Sequence, residues 1–253
     1  MKTAILITAR LKSTRLPKKV LKPILGRPML AHMLDRLKQA SCADEIIIIT
    51  SPFEQDYPLV ELAEHEGVKC FRGDPDDVLL RMACAAEEFG VDIVISCTAD
   101  NPFVDPIYID RLAEFHLSQK NDFTKTEGLP WGAFAYAISS PALKKACEIK
   151  AEKDTEVWGG YFTQTGLFQC GTMPIVDPAI AWPELRLTVD TPADFDLVER
   201  IFDELYIPGE VFSLEAIVGL CRSQPELVAI NATVEQKAGI PIKLKEEFNV
   251  QHG

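Results

Sequence analysis

The sequence predicts a doubly wound, Rossmann-like α/β fold on a mostly parallel sheet, with a small inserted β/α lobe. Three observations carry that prediction. The first hundred residues hold four short apolar, β-branched runs; helically spaced apolar stripes separate them; and the rhythm changes near residue 121. Continuous apolar strands alternating with amphipathic helices suit a parallel sheet covered on both faces, where neither face of a strand meets water.

The elements follow in order. Thr3–Thr8, Ile46–Thr50, Val68–Phe71 and Asp92–Cys97 read as strands. Met29, Leu30, Met33, Leu34 and Leu37 repeat with helical spacing, and Pro28 suits a first helical turn. Leu59, Leu62 and Ala63 make a weaker stripe, and Val78, Leu79, Met82, Ala85 and Ala86 a third. Beyond 121, strands are expected at Trp131–Ile138, Leu167–Ile175 and Leu185–Val189, and helices at 140–149, 153–164, Thr191 to Leu205 and 212–222. The tail past Gln236 reads as loosely packed. Residues 1–253 form one expected domain, with 121–184 as a sub-region for acceptor binding or dimerisation.

Composition narrows the function classes. The 253 residues are 47% hydrophobic, which suits a packed core and excludes wholesale disorder. A net charge of −12 offers no general attraction to nucleic acid or an anionic membrane. No apolar run reaches the roughly 20 residues that cross a bilayer. The N-terminus reads as a strand and not as a signal peptide, so a cytoplasmic protein is expected. Seven cysteines without C-x-x-C spacing read as reduced thiols, and the four scattered histidines match no metal motif.

The chemistry gathers in three stretches. Arg10 to Arg27 holds seven basic residues (10, 12, 15, 18, 19, 22 and 27) and no acidic one, so it is strongly cationic within an acidic chain. It leaves the carboxyl end of the first strand and carries the hydroxyls of Ser13 and Thr14, a combination suited to a compact polyanion such as a triphosphate. The second stretch, Cys97 to Pro106, leaves the fourth strand, a usual neighbour of the first at the switch point of a doubly wound sheet. Asp100 would then face the same crevice, and a carboxylate beside phosphates calls for a divalent cation between them. Asp190, in Leu185 to Phe195, also ends an expected strand. Alone it reads as a helix N-cap; paired with Asp100 it becomes a second Mg²⁺ ligand. Asp74-Pro75-Asp76-Asp77 reads as a helix cap or, alternatively, as the metal-binding acidic triplet of a glycosyltransferase. The absence of G-x-G-x-x-G and G-x-x-x-x-G-K-[ST] argues against dinucleotide enzymes and P-loop ATPases.

The run Ala9-Arg10…Ser13-Thr14-Arg15-Leu16-Pro17…Lys19-Val20-Leu21…Gly26…Pro28-Met29 resembles the nucleotide-binding loop of cytidylyltransferases that activate sugar acids. These are the 3-deoxy-manno-octulosonate, acylneuraminate and spore-coat polysaccharide types. The resemblance continues through Phe71-Arg72-Gly73…Asp76-Asp77-Val78-Leu79, Thr98…Asp100…Pro102 and Thr188-Val189-Asp190-Thr191-Pro192…Asp194-Phe195, and into the tail at Leu227 to Lys237. It implies a nucleotide-diphospho-sugar transferase-like fold. Arg10, Arg15 and Lys19 would bind the triphosphate, while Asp100 and Asp190 hold Mg²⁺. Ala9 and the segment from Arg72 to Asp77 would lie near the nucleoside, and Glu156 and Arg186 would face the acceptor. The chain departs from the family's frequent Gly at Lys18 and at Ala99, and from its Cys or Glu at Asn101.

The function implied is transfer of CMP from CTP to a small anionic acceptor, with release of pyrophosphate, by a cytoplasmic homodimer serving surface polysaccharide synthesis. A metal-dependent glycosyltransferase using a nucleotide-sugar and a non-catalytic nucleotide-binding protein stand as alternatives.

Overall fold

A computed structural model describes residues 1–236 and 241–248. β1 (Thr3–Thr8) is buried along nearly its whole length. After the basic loop come a 3-10 turn at Lys19–Leu21 and a small antiparallel pair, β2 (Pro23–Ile24) and β3 (Arg27–Pro28). The alternating half continues with α1 (Met29–Leu37), β4 (Glu45–Thr50), α2 (Tyr57–His65), β5 (Lys69–Arg72), α3 (Val78–Glu88) and β6 (Ile93–Thr98). Then follow α4 (Pro106–Gln119), β7 (Phe123–Glu127), β8 (Tyr136–Ser139), α5 (Ser140–Ile149), the single turn α6 (Gly160–Thr163) and β9 (Cys170–Pro174). α7 (Pro192–Leu205), α8 (Leu214–Ser223) and α9 (Pro225–Ala229) come last.

Seven strands form one sheet in the order β5-β4-β1-β6-β8-β7-β9, in which β8 alone runs antiparallel to its neighbours. The chain winds outward from β1 to β5 and then returns to β6, so β1 and β6 flank the switch point. Their register runs from Thr3↔Ile93 to Thr8↔Thr98, and the loops after Thr8 and Thr98 therefore leave side by side. Alternate residues feed two cores. Ile5, Ile7, Ile95 and Cys97 pack under α1, α2, α4, α7 and α8; Leu6, Ile47, Val94 and Ile138 pack under α3 and α5.

The expected architecture is present, with corrections in the second half. The third and fourth strands lie one residue later than the periodicity suggests, and Pro28 precedes α1 in extended conformation. Helix α4 and strand β7 have no counterpart among the expected elements. Tyr108, Ile109, Leu112, Ala113 and His116 form the buried stripe of α4, whereas β7 is polar at four of its five positions and takes its conformation from the strands on either side. The lobe beyond 121 extends the same sheet. Of Trp131–Ile138 only the end is a strand: Gly132, at φ +96, turns the chain onto Thr188, whose backbone leaves no room for a Cβ. Leu185–Val189 is extended without joining the sheet, its backbone bonded to Trp131 and Asp100. The helix expected over 153–164 shrinks to α6, because Thr155 is drawn against α3 and Gly159-Gly160 follow. Residues 237–240 and 249–253 of the tail lie outside the described residues; Lys243 and Lys245 bond to the backbone of Ala151 and Ile149 at the end of α5, so this part of the tail is docked.

Candidate functional site

The basic loop separates into cations that face the crevice and cations engaged elsewhere. Asp56 accepts a hydrogen bond from Leu11 N at 2.7 Å, and buried Leu16 anchors the loop's far side. Arg27 pairs with Asp35 and Glu66, and Lys22 lies 4.8 Å from the centre of the Phe195 ring. Lys12, Thr14 and Lys18 are exposed. The Ser13 hydroxyl accepts from Leu16 N at 3.3 Å and shapes the turn. Arg10, Arg15 and Lys19 remain directed at the carboxyl ends of the strands.

The ammonium of Lys19 donates to Asp100 Oδ2 at 2.8 Å and to Asp190 Oδ1 at 3.0 Å. Two carboxylates from loops 90 residues apart thus converge on one cation. They meet because Val189 N donates to the Asp100 carbonyl at 2.8 Å, joining the two loops. Arg15 Nη2 also reaches Asp190 Oδ1 at 3.0 Å, and Arg186 Nη2 reaches Asp190 Oδ2 at 3.0 Å. Burial alone would lower the Lys19 pKa, but Asp100 and Asp190 outweigh it and hold the ammonium above its usual range. Burial likewise opposes ionisation of Asp190, and Lys19, Arg15 and Arg186 reverse that, holding its carboxyl below the usual range.

The Arg72 to Asp77 segment lies on the other side of the basic loop. Arg10 donates to the Pro75 carbonyl and lies 3.4 Å from Asp76 Oδ1, so loop and segment touch. Arg72 donates to the carbonyls of Ser51 and Pro52. Asp77 is buried: it caps α3 through Leu80 N, accepts from Thr155 Oγ1 at 2.9 Å and pairs with Lys150. Asp74 accepts from the backbone N–H groups of Asp76 and Asp77. Asp74 and Asp77 are thus engaged at the start of α3, which makes this stretch a helix cap, while Asp76 stays largely exposed. Ala9 is buried and donates to the Ile49 carbonyl at 3.1 Å, extending the sheet toward the crevice. Glu156 lies exposed on the strap after α5, its N–H bonded to Asp154.

Asp100 and Asp190 suit a hard divalent cation. Both present carboxylate oxygens to one position that already holds positive charge, and Mg²⁺ needs only one or two carboxylates besides water and phosphate. Among the described residues no group of three or more His, Cys, Asp or Glu side chains forms a protein cage for a metal. All seven cysteines are free thiols.

Asp194 and Asn231, which no motif reading assigns a role, also belong here. Asp194 accepts from both Nε and Nη2 of Arg186, and Asn231 Nδ2 donates to Asp194 and to the Arg186 carbonyl. The four-residue steps from Arg186 to Asp190 to Asp194 were the available signal. They are hard to read because only Asp194 lies on a helix.

Comparison with known proteins bears on the fold and the family. The chain is 29% identical over 225 residues to the spore coat polysaccharide biosynthesis protein SpsF of Bacillus subtilis, covering 86% of this chain and 93% of that one. It is 33% identical over 171 residues to a 3-deoxy-manno-octulosonate cytidylyltransferase of Chloroherpeton thalassium, covering 65% of each. A solved cytidylyltransferase structure from Leptospira borgpetersenii superposes with a TM-score of 0.84 at 25% identity, covering 93% of this chain and all of that one. The family profile for cytidylyltransferases matches residues 4–172, well over half of the sequence, and the chain belongs to that family.

Proposed function

We propose that this cytidylyltransferase transfers CMP from CTP to a sugar acid, with Asp100 and Asp190 holding Mg²⁺ at the point of reaction. The observation that carries the reading is the convergence of both carboxylates on Lys19 at the β1–β6 switch point. An acceptor oxygen attacks the α-phosphorus and pyrophosphate departs, so the reaction depends on positioning and charge neutralisation. Arg10, Arg15 and Lys19 would bind the triphosphate, and Arg15 and Lys19 would stabilise charge on the departing pyrophosphate. Mg²⁺, held by Asp100 and Asp190, would supply positive charge to the reacting phosphate and help the acceptor hydroxyl lose its proton. Lys19 occupies the shared position between the carboxylates, where a triphosphate could compete for its ammonium.

The acceptor would enter from the β8 side. Ser96 of β6 lies opposite Tyr136 of β8, so the register brings Phe134 level with Thr98 at the carboxyl end of β6, two residues before Asp100. Trp131 is 40% exposed, packs edge-on against Phe134, and is bonded through its backbone to Leu185 and Leu187 on either side of Arg186. This exposed indole would offer a flat apolar surface to a sugar ring. The region 121–184 would thus serve the acceptor, with Glu156 at its edge. By resemblance we also propose a homodimer, which sedimentation would test, and a cytoplasmic location. No helix among the described residues is long and apolar enough to cross a membrane.

Thermal unfolding with each of the four ribonucleoside triphosphates, with and without Mg²⁺, tests the donor. A ligand at 100 times its dissociation constant adds about 2.7 kcal/mol, a rise in Tm of roughly 5–10 °C for a chain of this size. CTP should give it, more strongly with Mg²⁺, and no shift with CTP would overturn the reading. Pyrophosphate release with 3-deoxy-manno-octulosonate and an acylneuraminate then tests the acceptor.

A further inference from the structure

Asp190 divides its carboxylate between two environments. Oδ1 faces Lys19 and Arg15 in the crevice, each at 3.0 Å, while Oδ2 is held by Arg186 Nη2 at 3.0 Å. Arg186 is itself anchored. Its Nε and Nη2 donate to the two oxygens of Asp194 at 2.8 and 3.2 Å, and its Nη1 donates to Gln236 Oε1 at 2.6 Å. Asp194 is fully buried and accepts further bonds from Asp190 N at 3.0 Å, Thr191 N at 2.9 Å, Thr191 Oγ1 at 3.0 Å and Asn231 Nδ2 at 2.9 Å. A helix cap needs only the Thr191 contacts. The remaining bonds fix both the backbone and the free rotation of Asp190. Arg186, Asp190, Thr191, Asp194, Asn231 and Gln236 all lie beyond residue 172, where the family match ends.

We infer that Asp194 and Arg186 are positioning residues that orient Asp190, with Asn231 and Gln236 carrying the C-terminal segment into the site. The inference rests on the proposed metal role of Asp190. It reassigns Arg186 from the acceptor to the support of that carboxylate. Arg186 holds Oδ2 so that Oδ1 is the oxygen presented to the crevice. Asp194 sets the plane of the guanidinium and the position of the Asp190 amide. Outer partners of this kind tune metal affinity because a ligand free to rotate presents its oxygen only part of the time.

The test is Mn²⁺ binding to the full-length protein saturated with CTP, read by electron paramagnetic resonance of the free ion, which needs no acceptor. Asp194→Asn and Arg186→Lys should each weaken Mn²⁺ binding about 10–100-fold, approaching Asp190→Asn, while metal-free CTP binding changes by less than about threefold. Asp105→Asn, which weakens caps to Ile107 and Leu214 and bonds to no member of the Arg186–Asp190–Asp194 network, should lower stability and leave Mn²⁺ affinity unchanged. If Asp194→Asn fails to fold, Arg186→Lys decides alone, since it keeps the charge and removes the fork. Wild-type Mn²⁺ affinity in both variants, or an equal loss in Asp105→Asn, would overturn the positioning role. A wild-type CTP complex with no more Mn²⁺ affinity than Asp190→Asn would instead remove the metal role of Asp190, and this proposal with it.

Discussion

Two aspartate–lysine pairs flank the crevice, and they differ in what surrounds them. Asp77 and Lys150, with side chains 4% and 9% exposed, meet in a closed environment completed by the Thr155 hydroxyl and a helix N-terminus. Asp190 and Lys19 are slightly more open, at 16% and 12%; there the lysine is shared with Asp100, and Arg15 and Arg186 crowd the same carboxylate. In the first pair every group has a partner that stays in place. In the second, one lysine holds together two carboxylates that would otherwise repel, an arrangement a triphosphate and a divalent cation can replace without leaving charge unmatched. On the proposed reading the first pair is framework and the second belongs to the reaction site.

Removing a carboxylate from each pair should separate these roles. Asp100→Ala should lower pyrophosphate release about 10²–10³-fold, since it removes charge stabilisation at the reacting phosphate. Asp100 is 26% exposed, so its loss should change stability by no more than about 1 kcal/mol. Asp77→Ala should do the reverse. It leaves Lys150 buried without its partner and uncaps α3, at a stability loss of about 3–5 kcal/mol and a fall in Tm of roughly 10–15 °C. Full turnover in Asp100→Ala, or an unchanged Tm in Asp77→Ala, would break the comparison.

Acid pH should probe the crevice more gently. Burial opposes ionisation of both Asp190 and Asp194, but the cations around Asp190 and the Arg186 and backbone donors to Asp194 hold both carboxyls below the usual range. A depressed folded pKa contributes stability that is fully present above the unfolded pKa of about 3.9 and is lost as pH falls through the folded pKa. The stability gap between wild type and Asp194→Asn should therefore be widest near neutrality and close below about pH 4. A gap independent of pH would mean that the Asp194 charge adds nothing.

The sequence was most legible where local pattern and structure coincide. Four apolar runs became strands, three of them buried on both faces of the parallel sheet and β5 at its edge, and the helix expected from Thr191 formed with Thr191, not Asp190, as its N-cap. The basic loop and the two aspartates could be named singly, but Lys22 and Arg27, alike in charge to Lys19, turn to Phe195 and to acids of other elements. Only the folded chain sorts them. β7 was hidden because Phe123-Thr124-Lys125-Thr126-Glu127 takes its conformation from two neighbouring strands, not from its own propensity. Arg186, expected at the acceptor, joins Asp190 to Asp194 within one short segment, whose four-residue steps are hard to read because the helix begins only at Pro192.

Lys18 gives the smallest expected effect and the sharpest test of how Lys19 is placed. It stands where the family often has glycine, and its backbone is left-handed, at φ 54 and ψ 27, just before the turn that carries Lys19. A side chain in that conformation costs about 1–2 kcal/mol, and glycine removes the strain while adding about 0.5–1 kcal/mol of unfolded-state freedom. Lys18→Gly should therefore stabilise by about 0.5–1 kcal/mol and raise Tm by roughly 1–4 °C. Lys19 itself is fixed by Asp100 and Asp190 and not by the Lys18 side chain, so CTP-dependent Mn²⁺ binding should stay at its wild-type value. A stabilised variant with weakened Mn²⁺ binding would show that the strained backbone, and not the paired carboxylates, sets the position of Lys19.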